Sequence, residues 1–417
     1  MRASGAGPYA GGIPAPTRLA VVSWALYDLA NTVFSMNIVS LYFSLWVVNV
    51  MGGTDAMYGN AAALSMLLMV FTAPALGALS DQAGRRKPFL LVSTLACVTL
   101  TALLGLGGLS VSLVVFILAN YMFQAGLIFY DALLPSVSTP ENRGRVGGFG
   151  VGLGYLGSFL GVGTGLLLLE RIGYVGVFRV SALLFLVFAV PCFLFVTERR
   201  AAGRFSLSPA TIAGAFGQIR RTLPRARRYP GLVRFLVGRF LYTDPANTII
   251  VFMGIYVTNE IGFSEGQAQR LLLLAIVGAV AGGLGWGWLA DRIGPRRTLL
   301  AVLCLWIGIL AAAVAIAVLH LPGGLFWPVA LLAGAALGGL WAADRPFMLH
   351  LTPPAQLGEF YGLYSMVGRF AAVVGPFTWG FVVDTLGWGR PAAVAVLLLF
   401  MVAALFVIRG VDDGRRA

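Results

Sequence analysis

The chain alternates long apolar segments with short polar ones. Twelve segments of about 20 to 30 residues carry few charged side chains. A helix that crosses a bilayer needs roughly 20 mostly apolar residues, so each segment is long enough to span a membrane. We therefore predict twelve transmembrane helices, at residues 19–48, 56–80, 88–108, 111–134, 145–169, 175–197, 231–258, 266–290, 298–319, 325–350, 356–384 and 389–409.

The predicted helices form two groups of six, separated by a longer polar segment. This pattern predicts an all-α membrane protein with an N-terminal tail at 1–18, a six-helix bundle at 19–197, a linker at 198–230, a second bundle at 231–409 and a tail at 410–417. Within the linker, Ser208 and Pro209 are placed as the cap and first turn of a helix. We expect this helix to lie on the membrane surface, with its arginines facing anionic lipid. A protein-binding segment is the alternative.

The composition agrees with a membrane protein and explains the net charge of +13. Hydrophobic residues make up 59% of the chain and charged residues 11%, against about 25% charged in soluble domains. If the N-terminus is cytoplasmic, 21 of the 29 Lys and Arg residues fall on the cytoplasmic side, and only Arg171 and Arg390 fall on the opposite side. This is the positive-inside asymmetry. The basic charge therefore indicates topology, and we expect no nucleic-acid partner.

The same asymmetry predicts that both termini and the 198–230 linker are cytoplasmic, in the inner membrane of the cell. Cysteine-accessibility labelling should place residue 215 on the cytoplasmic side. Labelling of that position from outside the cell would contradict this topology.

Residues that could carry covalent or metal chemistry are few and dispersed. The cysteines Cys97, Cys192 and Cys304 lie inside apolar segments without metal-like spacing, and His320 and His350 are far apart. The sequence contains no P-loop, nucleophile elbow or dinucleotide fingerprint. We expect no enzyme activity, no cofactor, no metal and no ATP hydrolysis.

The two groups of helices are related by an internal repeat. The segment G-A-L-S-D-Q-A-G-R-R-K from Gly77 matches G-W-L-A-D-R-I-G-P-R-R from Gly287 at an offset of 210. D-L-A-N-T from Asp28 matches D-P-A-N-T from Asp244 at 216, and Asp131 matches Asp344 at 213. Three matches in the same order indicate two pseudo-symmetric halves produced by duplication.

The repeated G-x-L-x-D-x-x-G-x-R-R/K loop resembles the signature loop of the major facilitator superfamily. Four further segments resemble its vacuole-effluxer-like branch, which includes a fungal autophagy-related vacuolar amino-acid effluxer. They begin at Trp24 (W-A-L-Y-D-L-A-N-T), Phe129 (F-Y-D-A-L-L-P), Arg143 (R-G-R-V-G-G-F-G) and Glu359 (E-F-Y-G-L-Y-S-M-V-G-R-F). Asp131 departs from the F-Y-N-A pattern of that branch. The resemblance implies the major facilitator fold, with helices 1, 4, 7 and 10 lining a central cavity.

Charged residues inside spans are costly and usually face a partner or a cavity. Asp28 lies near the middle of the first helix and shares a face with Asn31, as Asp244 does with Asn247 in the seventh. We predict that these four residues, with Arg239 and Arg345, bind substrate or a coupling proton, and we assign the proton to Asp28. The alternative is structural, with Asp28 capping an interrupted helix or pairing with Arg239, Arg179 or Arg369.

Residues near the cytoplasmic helix ends are candidates for a gate. We predict that Asp131 and Asp344 pair with the loop arginines when the cytoplasmic side is shut; the alternative is permanent structural ion pairs. The residues of this predicted gate are Asp81, Arg85, Arg86, Asp131, Asp291, Arg296, Arg297 and Asp344. Small residues allow close helix approach. We interpret the glycines Gly157, Gly161, Gly165, Gly278 and Gly282 as packing surfaces between the halves.

These observations predict a monomeric secondary active transporter that works by alternating access in contact with membrane lipids. Its partners would be a small polar metabolite and a coupling proton or another ion, with amino acids suggested by the resemblance alone. A flippase or exporter of a lipid or amphiphile is one alternative. A non-transporting membrane sensor or assembly factor is another, although it would have less need for two costly buried carboxylates.

Overall fold

The computed structural model describes residues 17–83, 85–138, 143–198, 229–352 and 357–411. These residues are almost entirely helical, and we number the membrane-crossing helices α1 to α12. Their bounds are Arg18–Val50 (α1), Asp55–Gln82 (α2), Lys87–Leu103 (α3), Gly108–Asp131 (α4), 143–172 (α5), 174–195 (α6), Pro230–Asn259 (α7), Glu265–Ile293 (α8), Pro295–Val318 (α9), Phe326–Leu351 (α10), Leu357–Gly380 (α11) and Arg390–Arg409 (α12).

The predicted helices are confirmed. Ten segments of the described chain are long and apolar enough to cross a membrane, and Lys87–Leu103 is a shorter apolar helix. One of the ten contains both α5 and α6, which join at Gly173, where φ of 66° breaks the helical geometry. Glycine adopts positive φ without the steric penalty of a side chain, so the chain reverses there. The predicted linker helix at Ser208 and Pro209 lies outside the described residues.

The helix ends define two faces of the molecule. The first described residue, the α2–α3 and α8–α9 turns and the end of α12 share one face, which we call the inner face in keeping with the predicted topology. The α1–α2, α7–α8 and α11–α12 turns lie on the other, outer face. Close contacts between the halves run along α2 with α11, α1 with α7, and α8 with the α5–α6 segment.

The glycines of α5 pack inside the N-terminal half. A Cβ placed on Gly157 would lie 2.5 Å from the Leu29 carbonyl oxygen of α1, and one on Gly165 would overlap the Tyr42 ring. These glycines therefore let α5 lie directly against α1. The prediction that they form a surface between the halves is wrong.

The glycines of α8 likewise pack against α10 within the C-terminal half. A Cβ on Gly278 would lie 2.2 Å from the Leu331 carbonyl oxygen, and one on Gly282 would lie 2.2 Å from that of Ala335. Glycine repeats show that a neighbouring backbone is close, and the tertiary fold determines which helix supplies it. This part of the prediction is also wrong.

Candidate functional site

The first of the repeated carboxylates, Asp28, lies in α1 against α5. A Cβ on Gly154 would lie only 2.9 Å from Asp28 Oδ2, so the absence of a side chain there makes room for the carboxylate. The Thr32 hydroxyl donates to the Asp28 carbonyl oxygen at 2.9 Å. Asp28 is partly exposed, while its neighbour Asn31 is buried. Asp28 is therefore held by the N-terminal half and remains accessible.

Asp244 repeats this arrangement in the C-terminal half. The Thr248 hydroxyl donates to the Asp244 carbonyl oxygen at 2.8 Å, and a Cβ on Gly375 of α11 would lie 2.9 Å from Asp244 Oδ1. Asn247, one turn away, is partly buried. The sequence repeat at Asp28 and Asp244 thus corresponds to one local geometry, a carboxylate packed on a helical glycine.

The two carboxylates differ in exposure. Asp244 has no exposed surface, and no side chain among the described residues donates a hydrogen bond to its carboxylate. Asp244 is therefore closed to solvent in this conformation, whereas Asp28 remains accessible.

Asp28 belongs to a group of four charged residues between the halves, which we call the interhalf charge cluster. It consists of Asp28 and Asp131 from the N-terminal half and Arg345 and Arg369 from the C-terminal half. Asp131 is close enough to act electrostatically on Asp28 and on both arginines. Within the described chain, however, none of these four forms an ion pair shorter than 4.0 Å with another.

Arg369 is the member of this cluster that was not predicted from the sequence as a site residue, but only as a possible structural partner of Asp28. It lies in α11, and its Nη1 is buried without a hydrogen-bond partner among the described residues. The sequence signal for Arg369 is a single arginine inside an apolar span, since a charge there usually faces a partner or a cavity. The cluster therefore presents acidic groups on one half and basic groups on the other.

Asp344 lies in α10, within the C-terminal half. It has no exposed surface and forms an ion pair with Arg239 of α7. The hydroxyls of Tyr242 and Tyr364 donate to the same carboxylate at 2.6 and 2.7 Å. The Arg239 guanidinium also lies 3.4 Å from the centre of the Tyr364 ring. We call these four residues the C-half ion-pair cluster.

In this conformation Asp344 pairs with Arg239 and not with the loop arginines, and Arg239 does not pair with Asp28. The pairing predicted for the state with its inner side shut stays a prediction. The C-half ion-pair cluster joins α7, α10 and α11 within the C-terminal half. At the repeat offset of 216, the position matching Arg239 is Ser23, which has no charge to offer. Asp131, the repeat mate of Asp344, consequently lies exposed and faces arginines of the other half.

The loop arginines bind helix ends. Arg86 Nη1 donates to the Ala132 carbonyl at 2.9 Å, and Arg296 Nη2 donates to the Arg409 carbonyl at 2.6 Å. The last carbonyls of a helix have no partner within the helix, so basic side chains bind them readily. Both contacts stay within one half.

The remaining residues of the predicted gate are at or near the inner face. Arg85, Asp291 and Arg297 are exposed, and the side chain of Asp81 lies outside the described part of the structure. The gating role of the inner-face residues stays a prediction.

Aromatic side chains stack beside Asp28. The Trp24 and Tyr130 rings are parallel, with centroids 4.7 Å apart, and Tyr27 stacks on Tyr130 at 5.0 Å. The Tyr27 hydroxyl shares a hydrogen bond of 2.6 Å with Thr94. All three rings are buried, so this stack supports the wall of α1 and α4 behind the charge cluster.

Two family models match the chain. The one described as "Vacuole effluxer Atg22 like" matches residues 137–417, and the one described as "Major Facilitator Superfamily" matches residues 29–243. The chain is 25% identical over 408 residues to an uncharacterized MFS-type transporter, YxiO, of Bacillus subtilis, covering 92% of this chain and 93% of that one. It is 27% identical over 296 residues to autophagy-related protein 22 of Coccidioides immitis, covering 64% of this chain and 48% of that protein.

Solved transporter structures have the same fold. The nucleoside transporter NupG superposes with a TM-score of 0.73 at 12% identity, covering 96% of this chain and 100% of that one. A bacterial homologue of the human lysosomal transporter Spinster, in an inward-facing and unoccupied conformation, gives a TM-score of 0.67 at 15% identity, with 96% and 97% covered. These likenesses establish the arrangement of the helices.

Proposed function

Because the chain belongs to the Major Facilitator Superfamily and to its vacuole effluxer Atg22 like family, we propose that it is a secondary active transporter of a small polar metabolite. In this proposal the substrate binds between the halves in the inner membrane, and the halves open alternately to either side. Transporter sites commonly lie near the membrane midplane between repeats, and the repeat-related Asp28 and Asp244 lie inside the spans α1 and α7.

The observation that carries the proposal is the interhalf charge cluster. Its acidic residues, Asp28 and Asp131, belong to the N-terminal half, and its basic residues, Arg345 and Arg369, belong to the C-terminal half. A molecule with one cationic and one anionic group could bind both halves at once, with its cation on the acidic residues and its anion on the arginines. Hydrogen bonds to charged groups are the stronger ones, especially when arginine binds a carboxylate. We propose a zwitterion, of which an amino acid is the simplest example.

The difference in burial supports separate roles for the two repeated carboxylates. We assign substrate contact to Asp28, which is partly exposed within the charge cluster. We assign the coupling proton to Asp244, which is buried and has no side-chain hydrogen-bond partner among the described residues. This assignment reverses the one proposed from the sequence, because the sequence alone gives no difference in burial.

A set of matched ligands tests the substrate class. Purified protein should be stabilised by an amino acid, and much less by the corresponding amine without its carboxylate or acid without its amine. Arg369→Gln should weaken amino-acid binding roughly 10- to 100-fold, since a hydrogen bond to a charged group contributes about 1.5–3 kcal/mol. Arg179→Gln changes an exposed arginine of α6 outside the cluster and serves as the control.

The measurement is ligand affinity from the shift in melting temperature, followed by uptake into proteoliposomes. Equal stabilisation by the amino acid, the amine and the acid would contradict a zwitterion site. Equal loss of affinity in Arg179→Gln would remove Arg369 from the site.

A further inference from the structure

The outer ends of the two halves are joined by a buried ion pair. Asp55 begins α2 in the N-terminal half, and Arg390 begins α12 in the C-terminal half. Arg390 Nη2 lies 2.8 Å from Asp55 Oδ1, and Arg390 Nε lies 2.9 Å from Asp55 Oδ2. Asp55 is only 1% exposed. Two parallel hydrogen bonds between arginine and carboxylate fix both groups in orientation as well as distance.

Trp379 adds a third bond to the same carboxylate. Its Nε1 donates to Asp55 Oδ2 at 2.9 Å from the outer part of α11. The Trp379 ring stacks on Phe252 of α7 at a centroid distance of 4.7 Å. The Asp55 carboxylate of the N-terminal half is therefore bound by two residues of the C-terminal half, Arg390 and Trp379.

Other polar contacts join the halves at the same face. The Ala56 backbone N–H donates to Asp384, and the Tyr174 hydroxyl donates to Glu265. Asn259 Nδ2 donates to Asn49 Oδ1 at 3.2 Å. Among the described residues, the one ion pair shorter than 4.0 Å that crosses between the halves is Arg390 with Asp55. The conformation seen is thus held shut at its outer face.

Arg390 also has a partner in its own half. Its Nη1 lies 3.1 Å from Glu260 Oε1 at the end of α7. When the halves separate at the outer face, Glu260 remains beside Arg390 while Asp55 moves away. An arginine that keeps one carboxylate avoids the full penalty of losing its partner in a poorly hydrated site.

We propose that Asp55, Arg390 and Trp379 form an outer latch, which stabilises the outward-closed conformation and must break for the outer side to open. This inference rests on the proposed alternating-access function. An interaction present in one conformation and absent from the other shifts the balance between them by its own strength. Glu260 contacts the same arginine without crossing between the halves, so it is not part of the latch.

The test compares Asp55→Asn with Glu260→Gln. Each replaces one carboxylate partner of Arg390 with an amide of nearly equal volume. In a background without Cys97, Cys192 and Cys304, spin labels at positions 106 and 321 would report the outer distance, since both positions are exposed in outer-face turns. Labels at positions 194 and 349, exposed near the inner ends of α6 and α10, would report the inner distance.

We expect Asp55→Asn to raise the ratio of outward-open to outward-closed molecules by about tenfold or more, because the substitution weakens contacts that only the outward-closed conformation makes. The outer distance should lengthen, and the inner distance should shorten. Glu260→Gln should leave both distributions near those of the parent protein.

Unchanged distances in Asp55→Asn, or equal changes in Glu260→Gln, would overturn the latch. If Asp55→Asn does not fold, Trp379→Phe removes one donor to Asp55 and retains the ring, and it should shift the outer distance in the same direction. The distances are measured without substrate. A shift of the outer distance in Asp55→Asn, with no amino-acid transport by the parent protein, would therefore support the latch and contradict the proposed substrate. Amino-acid transport by the parent protein, with no shift in Asp55→Asn, would contradict the latch and support the proposed substrate.

Discussion

Asp244→Asn should abolish proton-driven accumulation of substrate while leaving the protein folded. The Asp244 carboxylate is buried, and no side chain among the described residues donates to it. Asparagine keeps nearly the same side-chain volume without the ionisable group. Removing an ionisable group from such a site relieves a desolvation penalty. We expect the melting temperature to stay the same or rise. We also expect uptake driven by a pH gradient to fall by at least about tenfold, as one bound proton is removed from the cycle.

Asp28→Asn is the matched comparison, because it is the same substitution at the repeat-related position. We expect this variant to lose substrate affinity, whereas Asp244→Asn should still exchange substrate across the membrane without a pH gradient. Uptake and exchange in liposomes between pH 5 and 8 separate the two effects. A normal response to the pH gradient in Asp244→Asn would contradict the assignment of the proton. Unfolding of Asp244→Asn would show that the carboxylate is structural.

Arg239→Met should destabilise the C-terminal half strongly. The substitution leaves the Asp344 carboxylate buried and without its cation, although Tyr242 and Tyr364 still donate to it. Breaking a buried ion pair by removing one partner costs about 3–5 kcal/mol, because the remaining charge is not compensated. Arg234→Ala is the control on the same helix, since Arg234 is exposed and, among the described residues, its one hydrogen bond is to the Gly410 carbonyl at 2.7 Å. Surface changes of that kind stay within about 0.5 kcal/mol.

The measurement is the free energy of unfolding in detergent or bilayer, for Arg239→Met, Asp344→Asn and the double variant. Since both residues belong to one pair, the double variant should lose clearly less than the sum of the two single losses. Additive losses would show that Arg239 and Asp344 act independently. An equal loss in Arg234→Ala would show a general effect of charge removal on α7.

The sequence was sufficient for the helices and the repeat, because both are encoded locally. Span length and hydropathy gave the twelve helices, and the match of Asp28 with Asp244 corresponds to one geometry on Gly154 and Gly375. Such signals depend on residues close together in the chain or at a constant offset. They do not depend on knowing which helices are neighbours.

The pairing of charges could not be obtained in that way. Arg239 and Asp344 are 105 residues apart, and their pairing requires α7 and α10 to meet at one depth. Arg390 and Asp55 are 335 residues apart and belong to different halves. The prediction for the glycines was wrong for the same reason, since their spacing shows that another helix is close without identifying which helix it is. Local composition identifies the charged residues inside the spans, and only the tertiary arrangement determines their partners.

The most direct test of the proposed function is uptake of a labelled amino acid into proteoliposomes by the parent protein and by Asp28→Asn, with and without an imposed pH gradient. The amino acid is the one that most raises the melting temperature of the parent protein. We predict saturable uptake by the parent that increases with the gradient, and little uptake by Asp28→Asn at the same concentration. If no amino acid stabilises or enters with the parent protein, or if Asp28→Asn transports equally well, the charged site between the halves is not the transport site.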